Sequence, residues 1–341
     1  MAIVVNKLVE SIMKMALRCT VALSMCGIPW VAQCAEAGPS ITLKSLLSGT
    51  PHQGLMAIAF DGSVGVAVGV GGEIETTQDS GKRWQVAPSP SPLALLGVDV
   101  KDGLTVAVGQ RGLILVRHGS PDWKKTESGT SERLFSVSVN SKGNAVAVGS
   151  FGTVIASTDR GETWQSIAPN WAALIHEQGD QFTPHVYAAH LDDAGTVTVA
   201  GELGVILRSS DAGKTWNVLH QGDSSNHKED ESLFALDIRK DGIAYAVGQD
   251  GEILRSSDGG LKWAPLNSGT KSILLGVHSS PGAEIVVTGM YSMLVSKDDG
   301  KTWNLVIDQA VASSWYAGVA RPADGADIVV GKSGVIMRVA L

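Results

Sequence analysis

Apolar residues fall into short runs of about four to seven positions, separated by clusters of Gly, Asp, Ser and Asn, which is typical of β-strands joined by tight turns. Residues 233–263 contain one complete unit. Its apolar runs and turns alternate in the order 233–238, 240–242, 244–247, 248–251, 252–255 and 256–260. Trp263 then begins a fourth run. The pattern predicts four short antiparallel strands, the arrangement of a propeller blade.

The same unit recurs along the chain. Six units close on a tryptophan, at intervals of 39 to 52 residues: Trp84, Trp123, Trp164, Trp216, Trp263 and Trp303. The first strands of seven units are predicted to begin at Leu55, Leu95, Leu134, Val186, Leu233, Leu274 and Trp315. A period of this length is typical of a propeller or a solenoid. We therefore predict an all-β fold for residues 35–341, a seven-bladed β-propeller of four-stranded antiparallel blades.

The seventh unit supplies only three strands before the chain ends. A strand-like segment at residues 41–47 precedes the first blade, and we expect it to be the missing outer strand, which would close the ring and protect its edges. The third residue of each first strand is small: Ala57, Gly97, Ser136, Ala188, Ala235, Gly276 and Ala317. Small residues there would let the innermost strands crowd around the axis. The apolar positions on either side are expected to pack between neighbouring blades.

The turn before the tryptophan has its own pattern. Residues 157–164, 209–216 and 296–303 read S-x-D-x-G-x-T-W, residues 77–84 and 256–263 match less well, and residues 116–123 have lost the pattern. It resembles the Asp-box, or bacterial neuraminidase repeat. We expect a structural turn in which the carboxylate accepts backbone N–H groups and the glycine adopts a positive φ. The aspartates concerned are Asp79, Asp159, Asp211, Asp258 and Asp298. The resemblance implies that these turns lie away from the binding face.

Residues 1–34 are predicted to be a secretory signal peptide. Basic residues precede an apolar run at 19–32 that is too short to span a bilayer, and small residues follow it. All three cysteines lie in this segment, so cleavage after Cys34 would leave no disulfide and no cysteine nucleophile. Lipidation of Cys34 is the lesser alternative, because Gln33 is unsuited to lipoprotein processing. We expect an exported, periplasmic, monomeric protein without stable membrane insertion.

Charge and composition exclude several classes of partner. The chain has 27 basic and 34 acidic residues, a net charge of -7, which disfavours nucleic acid. Its eight histidines lack the short spacings of metal sites, so no metal is expected. Its Gly-rich hairpins are not followed by helices, so no nucleotide or other cofactor is expected.

The signal segment, the seven units and the recurring A-V-G-x-x-G-x-I-x-x-S-x-D-x-G-x-x-W pattern together resemble the photosystem II stability and assembly factor family over residues 41–341. The resemblance implies a non-enzymatic, extracytoplasmic propeller that engages subunits of a membrane-protein complex during assembly. Such a protein would be lumenal in a photosynthetic source. In another bacterium it would be periplasmic and act on a different envelope complex.

The alternative is an Asp-box glycoside hydrolase of the sialidase type. Arg208, Arg255 and Arg338 could supply its arginine triad, but they occupy one position of the repeat and are expected to be spread around the ring. Asp99 and Asp237 could supply paired carboxylates. For both sets we expect structural roles.

The turns between second and third strands, together with the connections between blades, open on one face. The candidate partner-binding residues there are Arg111, Phe151, Glu202, Asp250, Tyr291 and Lys332, which differ from blade to blade. The connection at residues 165–185 is predicted to contain a helix capped by Asn170 and extending to Gln178. Trp171 on this helix either packs onto the propeller or anchors a partner.

Overall fold

Each repeat of the sequence folds into one four-stranded antiparallel sheet in the computed structural model, which describes residues 41–175, 183–222, 231–282 and 284–340. β1 (Thr42–Leu47) precedes the first blade. Blades 1 to 3 contain β2 (Leu55–Asp61), β3 (Val64–Gly69), β4 (Ile74–Thr77) and β5 (Gln85–Val86); β6 (Leu95–Lys101), β7 (Leu104–Gly109), β8 (Ile114–His118) and β9 (Lys124–Thr126); and β10 (Leu134–Val139), β11 (Ala145–Gly149), β12 (Val154–Ser157) and β13 (Gln165–Ser166). The predicted signal peptide lies outside the described residues.

Two helices of one turn each lie in the connections before blades 4 and 7, and they are α1 (Trp171–Leu174) and α2 (Gln309–Ala312). Blades 4 and 5 contain β14 (Val186–Leu191), β15 (Val197–Gly201), β16 (Ile206–Ser209) and β17 (Asn217–His220); and β18 (Leu233–Ile238), β19 (Ala244–Gly248), β20 (Ile253–Ser256) and β21 (Ala264–Leu266). Blades 6 and 7 contain β22 (Leu274–Ser279), β23 (Ile285–Gly289), β24 (Met293–Ser296) and β25 (Asn304–Leu305); and β26 (Tyr316–Ala320), β27 (Asp327–Gly331) and β28 (Ile336–Ala340). The predicted seven-bladed propeller is confirmed.

The N-terminal strand closes the ring, as predicted. β1 pairs antiparallel with β28, with Lys44 opposite Arg338, and blade 7 has the order β1-β28-β27-β26. This blade is therefore built from both ends of the described chain. The outer edge of β28 is covered, as closure of the sheet requires.

The first strand of blade 7 begins at Tyr316, one residue later than predicted. Tyr316 pairs with Gly331 as Leu55 pairs with Gly69 in blade 1, so Tyr316 is the equivalent of Leu55. Trp315 instead forms an isolated bridge with Met290 in the preceding blade. The small third residue of this strand is consequently Gly318, and the assignment of Ala317 to that position is wrong.

The core lies between the blades. The side chains that start the first strands, such as Leu55, Leu95 and Leu134, are fully buried. One cluster joins Ile74 of blade 1 to Leu115 of blade 2, and equivalent clusters recur around the ring. Because each sheet buries its faces against its neighbours, most strands are almost continuously apolar.

α1 is shorter than predicted. It begins after Asn170 and ends at Leu174, since Ile175 has an extended backbone with φ of -112°. The Trp171 side chain is only 7% exposed, and its indole N–H donates to the Gly152 carbonyl at 3.0 Å. Trp171 therefore packs onto the propeller, and its interpretation as a partner anchor is wrong. The remainder of the predicted helix, residues 176–178, lies outside the described residues.

The S-x-D-x-G turns join third to fourth strands, on the face opposite the turns between second and third strands. Asp159 accepts the backbone N–H of Thr163 at 2.9 Å and its hydroxyl at 2.6 Å, while Ser157 donates to the same carboxylate at 2.8 Å. Gly161 has φ of 85°, and the Trp164 indole donates to its carbonyl at 3.1 Å. The hydrogen bonds from Thr163 are the main reason that the pKa of Asp159 is lowered to about 2.

Candidate protein-binding site

In six blades the turns between second and third strands share one backbone conformation, with positive φ at two successive residues, whereas the blade 6 turn has positive φ at Tyr291 alone. The second of these residues is glycine in all six of those blades, and a Cβ at Gly112 would lie 2.0 Å from the Thr130 carbonyl oxygen. The first, here called the tip residue, faces open space in blade 1, where a Cβ on Gly71 would meet no atom within 4 Å. The tip residues are Gly71, Arg111, Phe151, Leu203, Asp250, Tyr291 and Ser333.

Six of the seven tips therefore carry a side chain although glycine would adopt the same backbone more easily. A left-handed conformation costs an L-residue roughly 1–2 kcal/mol. Arg111 has φ of 56° and Phe151 has φ of 50°. The Phe151 ring is 66% exposed, so burial of that ring does not offset the cost. The tips therefore carry varied side chains at a position whose backbone conformation favours glycine.

A cavity of about 500 Å³, here called the axial mouth, opens at the centre of the same face. The second residue of every first strand lines it, and these residues are Met56, Leu96, Phe135, Tyr187, Phe234, Leu275 and Ala317. In all seven blades the strand pairing shifts register at this residue, as in a β-bulge. A bulge redirects the extra side chain. The second position therefore lines the axis, and the expectation that it packs between blades is wrong.

Three large rings of the axial mouth contact one another on the side of blades 3 to 5, while Trp315 lines the mouth beside blade 7. Tyr187 contacts Phe135 and Phe234, with ring centroids 5.2 and 5.0 Å apart. His185 lies against Phe151 at 4.9 Å and extends this aromatic surface from the axis to the tip of blade 3. Aromatic side chains combine a large contact area with few rotatable bonds and are enriched in binding surfaces.

Glu202 holds this surface in place. Its carboxylate accepts the backbone N–H of His185 at 2.7 Å and the hydroxyl of Tyr187 at 3.3 Å. Burial, followed by the charge of Glu202, raises the pKa of Tyr187 to about 12, so the phenol remains neutral at physiological pH. The His185 Nδ1 accepts the backbone N–H of Phe151 at 2.9 Å, which fixes the imidazole against the tip. Glu202 is thus a positioning residue below the surface.

A second cavity, also of about 500 Å³ and here called the arginine cleft, adjoins the axial mouth and shares Gln110 and Arg133 with it. Arg111, Phe151 and His185 also line it. Arg111 and Arg133 are exposed, and within the described ranges neither guanidinium forms an ion pair. The cleft thus holds two arginines against one carboxylate, that of Glu132, and this excess of positive charge beside an aromatic surface favours a ligand with an acidic or carbonyl-rich character.

The structure thus brings Arg111, Phe151 and Glu202 together in blades 2 to 4. The remaining predicted residues lie elsewhere on the face. Asp250 in blade 5 pairs with Lys271 at 2.8 Å, and Lys332 is exposed in blade 7. Tyr291 in blade 6 is 61% exposed and lies beside a separate cavity of about 250 Å³.

The sequence pattern did not predict five of the residues that form this site: Arg133, Phe135, His185, Tyr187 and Phe234. The sequence contains one signal for the residues on the first strands: in most of these strands a large apolar residue stands directly before the small third residue. That signal predicts the axial mouth only when the bulge is known, since a regular strand would point the same side chains between blades.

The arginines of the hydrolase alternative do not form a triad. Arg208 donates to the Gly259 carbonyl at 2.6 Å, Arg255 pairs with Asp299, and Arg338 donates to the Ser80 carbonyl at 2.7 Å. Each therefore links its own blade to the turn before the tryptophan in the next blade. Their spread around the ring is as the repeat predicted.

The two aspartates of that alternative also join neighbouring blades. Asp99 accepts the N–H of Val139 at 2.7 Å, and burial raises the pKa of Asp99 to about 6. Asp237 accepts both the N–H and the hydroxyl of Ser279 at 2.6 Å. They lie in blades 2 and 5 and are engaged with different partners. Within the described part of the chain, no group of three His, Cys, Asp or Glu side chains is placed to hold a metal ion.

The fold defines the class of the protein, a closed seven-bladed β-propeller with a concave aromatic surface on one face. A family model described as photosynthesis system II assembly factor YCF48 matches residues 34–257, well over half of the chain. The chain belongs to this family. Comparison with curated protein sequences gives no significant match.

Solved structures support the fold. A structure of YCF48 bound to a D1 peptide aligns with a TM-score of 0.67 at 17% identity and covers 88% of this chain and 95% of the other. YCF48 from Cyanidioschyzon merolae gives the same TM-score and identity over 87% and 98% of the two chains. A streptogramin B lyase structure aligns with a TM-score of 0.71 at 13% identity over 88% and 98%. Binding proteins and an enzyme thus share this fold, so function must be argued from the site.

Proposed function

We propose that this protein is a non-enzymatic assembly or accessory factor that binds an extended segment of a membrane-protein subunit across the axial mouth and the arginine cleft. The observation that carries the proposal is the continuous surface formed by Phe135, Tyr187, Phe234, Phe151 and His185, with two unpaired arginines at its edge. The YCF48 relative bound to a D1 peptide supports a peptide-like ligand.

The chemistry of the surface favours a particular kind of segment. Apolar side chains of the segment would enter the axial mouth, where the aromatic rings offer contact area at little entropic cost. Arg111 and Arg133 would pair with acidic side chains or backbone carbonyls of the same segment. The differing tips around the rest of the ring would exclude segments of the wrong shape or charge.

We further propose that the protein acts outside the cytoplasm as a monomer, after removal of residues 1–34. The apolar run at 19–32 and the small residues after it support export. No helix in the described residues has the length and apolar character of a membrane span. The partner is therefore proposed to be a membrane protein that the propeller reaches through an extracytoplasmic loop or terminus.

The experiment uses an array of short overlapping peptides that cover the extracytoplasmic loops and termini of the source organism's membrane proteins. The full chain without residues 1–34 is tested beside an Arg111→Ala/Phe151→Ala variant and a control, Asp250→Ala/Lys332→Ala, on the same face. We expect a small set of peptides to bind the parent and the control, and to bind the first variant about tenfold more weakly.

Equal binding by both variants, or no bound peptide, would contradict the proposal. A panel of glycosidic substrates is measured on the same preparations. Turnover of one of them by the parent would support the hydrolase alternative instead. Cell fractionation tests export separately, and a protein confined to the cytoplasm would overturn that part.

A further inference from the structure

Arg117 is a buried cation that has no anionic partner within the described residues. Its side chain is 9% exposed and donates one long hydrogen bond, 3.4 Å, to the hydroxyl of Thr105. Its guanidinium carbon lies 5.0 Å from the centre of the Trp123 ring. Burial lowers the pKa of Arg117 below its usual value, and no carboxylate acts against this effect.

Four other buried or half-buried arginines of the described chain are paired with carboxylates: Arg239, Arg255, Arg321 and Arg338. Arg208 has no carboxylate partner there either, but it donates two short hydrogen bonds, to the Thr198 hydroxyl at 2.9 Å and to the Gly259 carbonyl at 2.6 Å. Arg239 lies against Asp241 and Asp299, and Arg321 against Glu284 and Asp327. This difference matters because an uncompensated buried charge is strongly destabilising. A cation–π contact contributes about 0.5–2 kcal/mol and does not replace an ion pair.

Arg117 also stands where the repeat places a different residue. Arg117 is opposite Thr105 in the strand pairing of blade 2. The equivalent pair in blade 4 is Ser209 opposite Val197, so Arg117 takes the place of the serine that begins the S-x-D-x-G turn. Blade 2 has thus lost the S-x-D-x-G turn. The indole N–H of Trp123 is buried without an acceptor among the described residues, and so is that of Trp303, although the turn before Trp303 keeps the pattern.

Blade 2 therefore departs from the S-x-D-x-G turn of the repeat, and the unpaired buried Arg117 that replaces the serine lowers stability without a structural gain. Such departures are expected where a residue serves function. Arg117 lines the groove between blades 1 and 2, which has a volume of about 740 Å³ and is the size of a small-molecule site.

The lining of this groove limits the kind of anion that fits. Asp61 and Asp79 line it and are paired with Lys101 and Arg83, so among the described residues Arg117 is the one cation of the lining without a carboxylate partner and can match one negative charge of a ligand. Apolar residues such as Val64, Val86 and Pro88 and uncharged polar residues such as Thr76 and Gln85 share the rest of the wall.

We propose that the groove between blades 1 and 2 binds a small monocarboxylate with an apolar body, whose carboxylate pairs with Arg117. The planar guanidinium matches a carboxylate in a two-point hydrogen bond, and the apolar body lies along the prolines and valines of the groove. The site is on a different part of the ring from the axial mouth and does not depend on the proposed function.

The test follows the indole N–H signal of Trp123 by NMR, assigned with a Trp123→Phe variant, because the ring lies against the guanidinium. The protein is titrated with hexanoate, with sulfate and with chloride at constant ionic strength. We expect a saturable shift with hexanoate, with a Kd of the order of 1 mM, and only a weak, linear shift with the inorganic anions.

Arg117→Met should abolish the saturable shift. The control Lys82→Met, which removes an exposed cation next to the groove without unpairing one of its carboxylates, should leave the Kd within about twofold. Arg117→Lys keeps the charge without the planar fork and should weaken binding about tenfold. If Arg117→Met does not fold, the parent titration and the Lys variant still decide.

A linear response of the parent to hexanoate overturns the proposal. Sulfate binding as tight as hexanoate binding overturns the assignment to a monocarboxylate. Unchanged hexanoate binding in Arg117→Lys and Arg117→Met overturns the role of this residue.

Discussion

Arg338 lies in the last strand of the chain, and its Nη2 donates to the carbonyl oxygen of Ser80 in the first blade at 2.7 Å, across 258 positions of sequence. Its Nη1 also pairs with Asp324 at 2.8 Å. Arg208 and Arg255 make the equivalent links between blades 4 and 5 and between blades 5 and 6. Blades 7 and 1, which meet at what is here called the closing seam, are therefore joined by the same kind of arginine hydrogen bond as blades inside the ring.

Substitution Arg338→Met should destabilise the protein by about 1–3 kcal/mol, because it leaves a half-buried carbonyl and a carboxylate without their donor while keeping the packing of the stem. The free energy of unfolding in urea measures this change. The control Arg83→Met should cost about 0.5 kcal/mol or less, since its ion pair is exposed. Equal losses in the two variants would remove any special role for the seam.

In the outer strand of blade 7, Leu43 should be far more sensitive to substitution than its neighbour Lys44. Leu43 is half-buried against the core of blades 6 and 7, whereas its neighbour Lys44 is exposed. Leu43→Ser should lower the free energy of unfolding by about 1–3 kcal/mol, and Lys44→Ser by about 0.5 kcal/mol or less. Deletion of residues 41–47 should abolish cooperative unfolding in calorimetry, because β28 becomes an open edge. A deletion as stable as the parent would contradict the closure model.

Glu75 should make the protein less stable at neutral pH than in mild acid. It is 4% exposed in β4, at the position that Leu115 and Leu207 occupy in blades 2 and 4. Burial, followed by the charge of Glu73, raises the pKa of Glu75 to about 6. The folded state therefore holds this proton more tightly than the unfolded state. The contribution of Glu75 is most favourable below about pH 4.5 and is lost as the pH rises through 6.

Glu75→Gln mimics the protonated form and should remove this loss. Relative to the parent, its free energy of unfolding should rise by about 2 kcal/mol between pH 4.5 and pH 7. Urea unfolding at several pH values measures the difference. The control Glu162→Gln changes an exposed carboxylate whose pKa is lowered, mainly by Lys124, and should not gain stability. Parallel pH profiles of the parent and Glu75→Gln would exclude the effect.

Protonation of the aspartates in the S-x-D-x-G turns should lower the stability of the protein, which is the opposite of the effect of protonating Glu75, and it should occur at lower pH. The pKa of Asp211 is lowered to about 2, chiefly by hydrogen bonds from Thr215. Its stabilising contribution is present above the unfolded value of 3.8 and is lost as the pH falls towards 2. Asp211→Asn should lower the melting temperature at neutral pH and flatten the acid limb of the stability profile. Asp122→Asn, in the blade 2 turn that lacks the pattern, is the control and should leave both unchanged.

Much of the architecture was predictable because it depends on local chemistry that the repeat presents seven times. The run from Leu233 to Trp263 indicates four strands, and its recurrence indicates the blade number. The predicted start of the first strand in blade 7 was one residue too early. Trp315 and Tyr316 are both aromatic, and only the pairing of Tyr316 with Gly331 shows which of them begins the strand.

The amino-acid sequence by itself determined the seven blades, the closing strand and the face on which the varied turns lie, because each follows from strand period, turn chemistry and chain order. Only the tertiary structure decided which side chains meet. The bulge that turns Tyr187 towards the axis is a matter of pairing between strands, and a regular pattern of apolar residues does not reveal it. The absence of an anionic partner for Arg117 likewise depends on which residues of two blades lie around it.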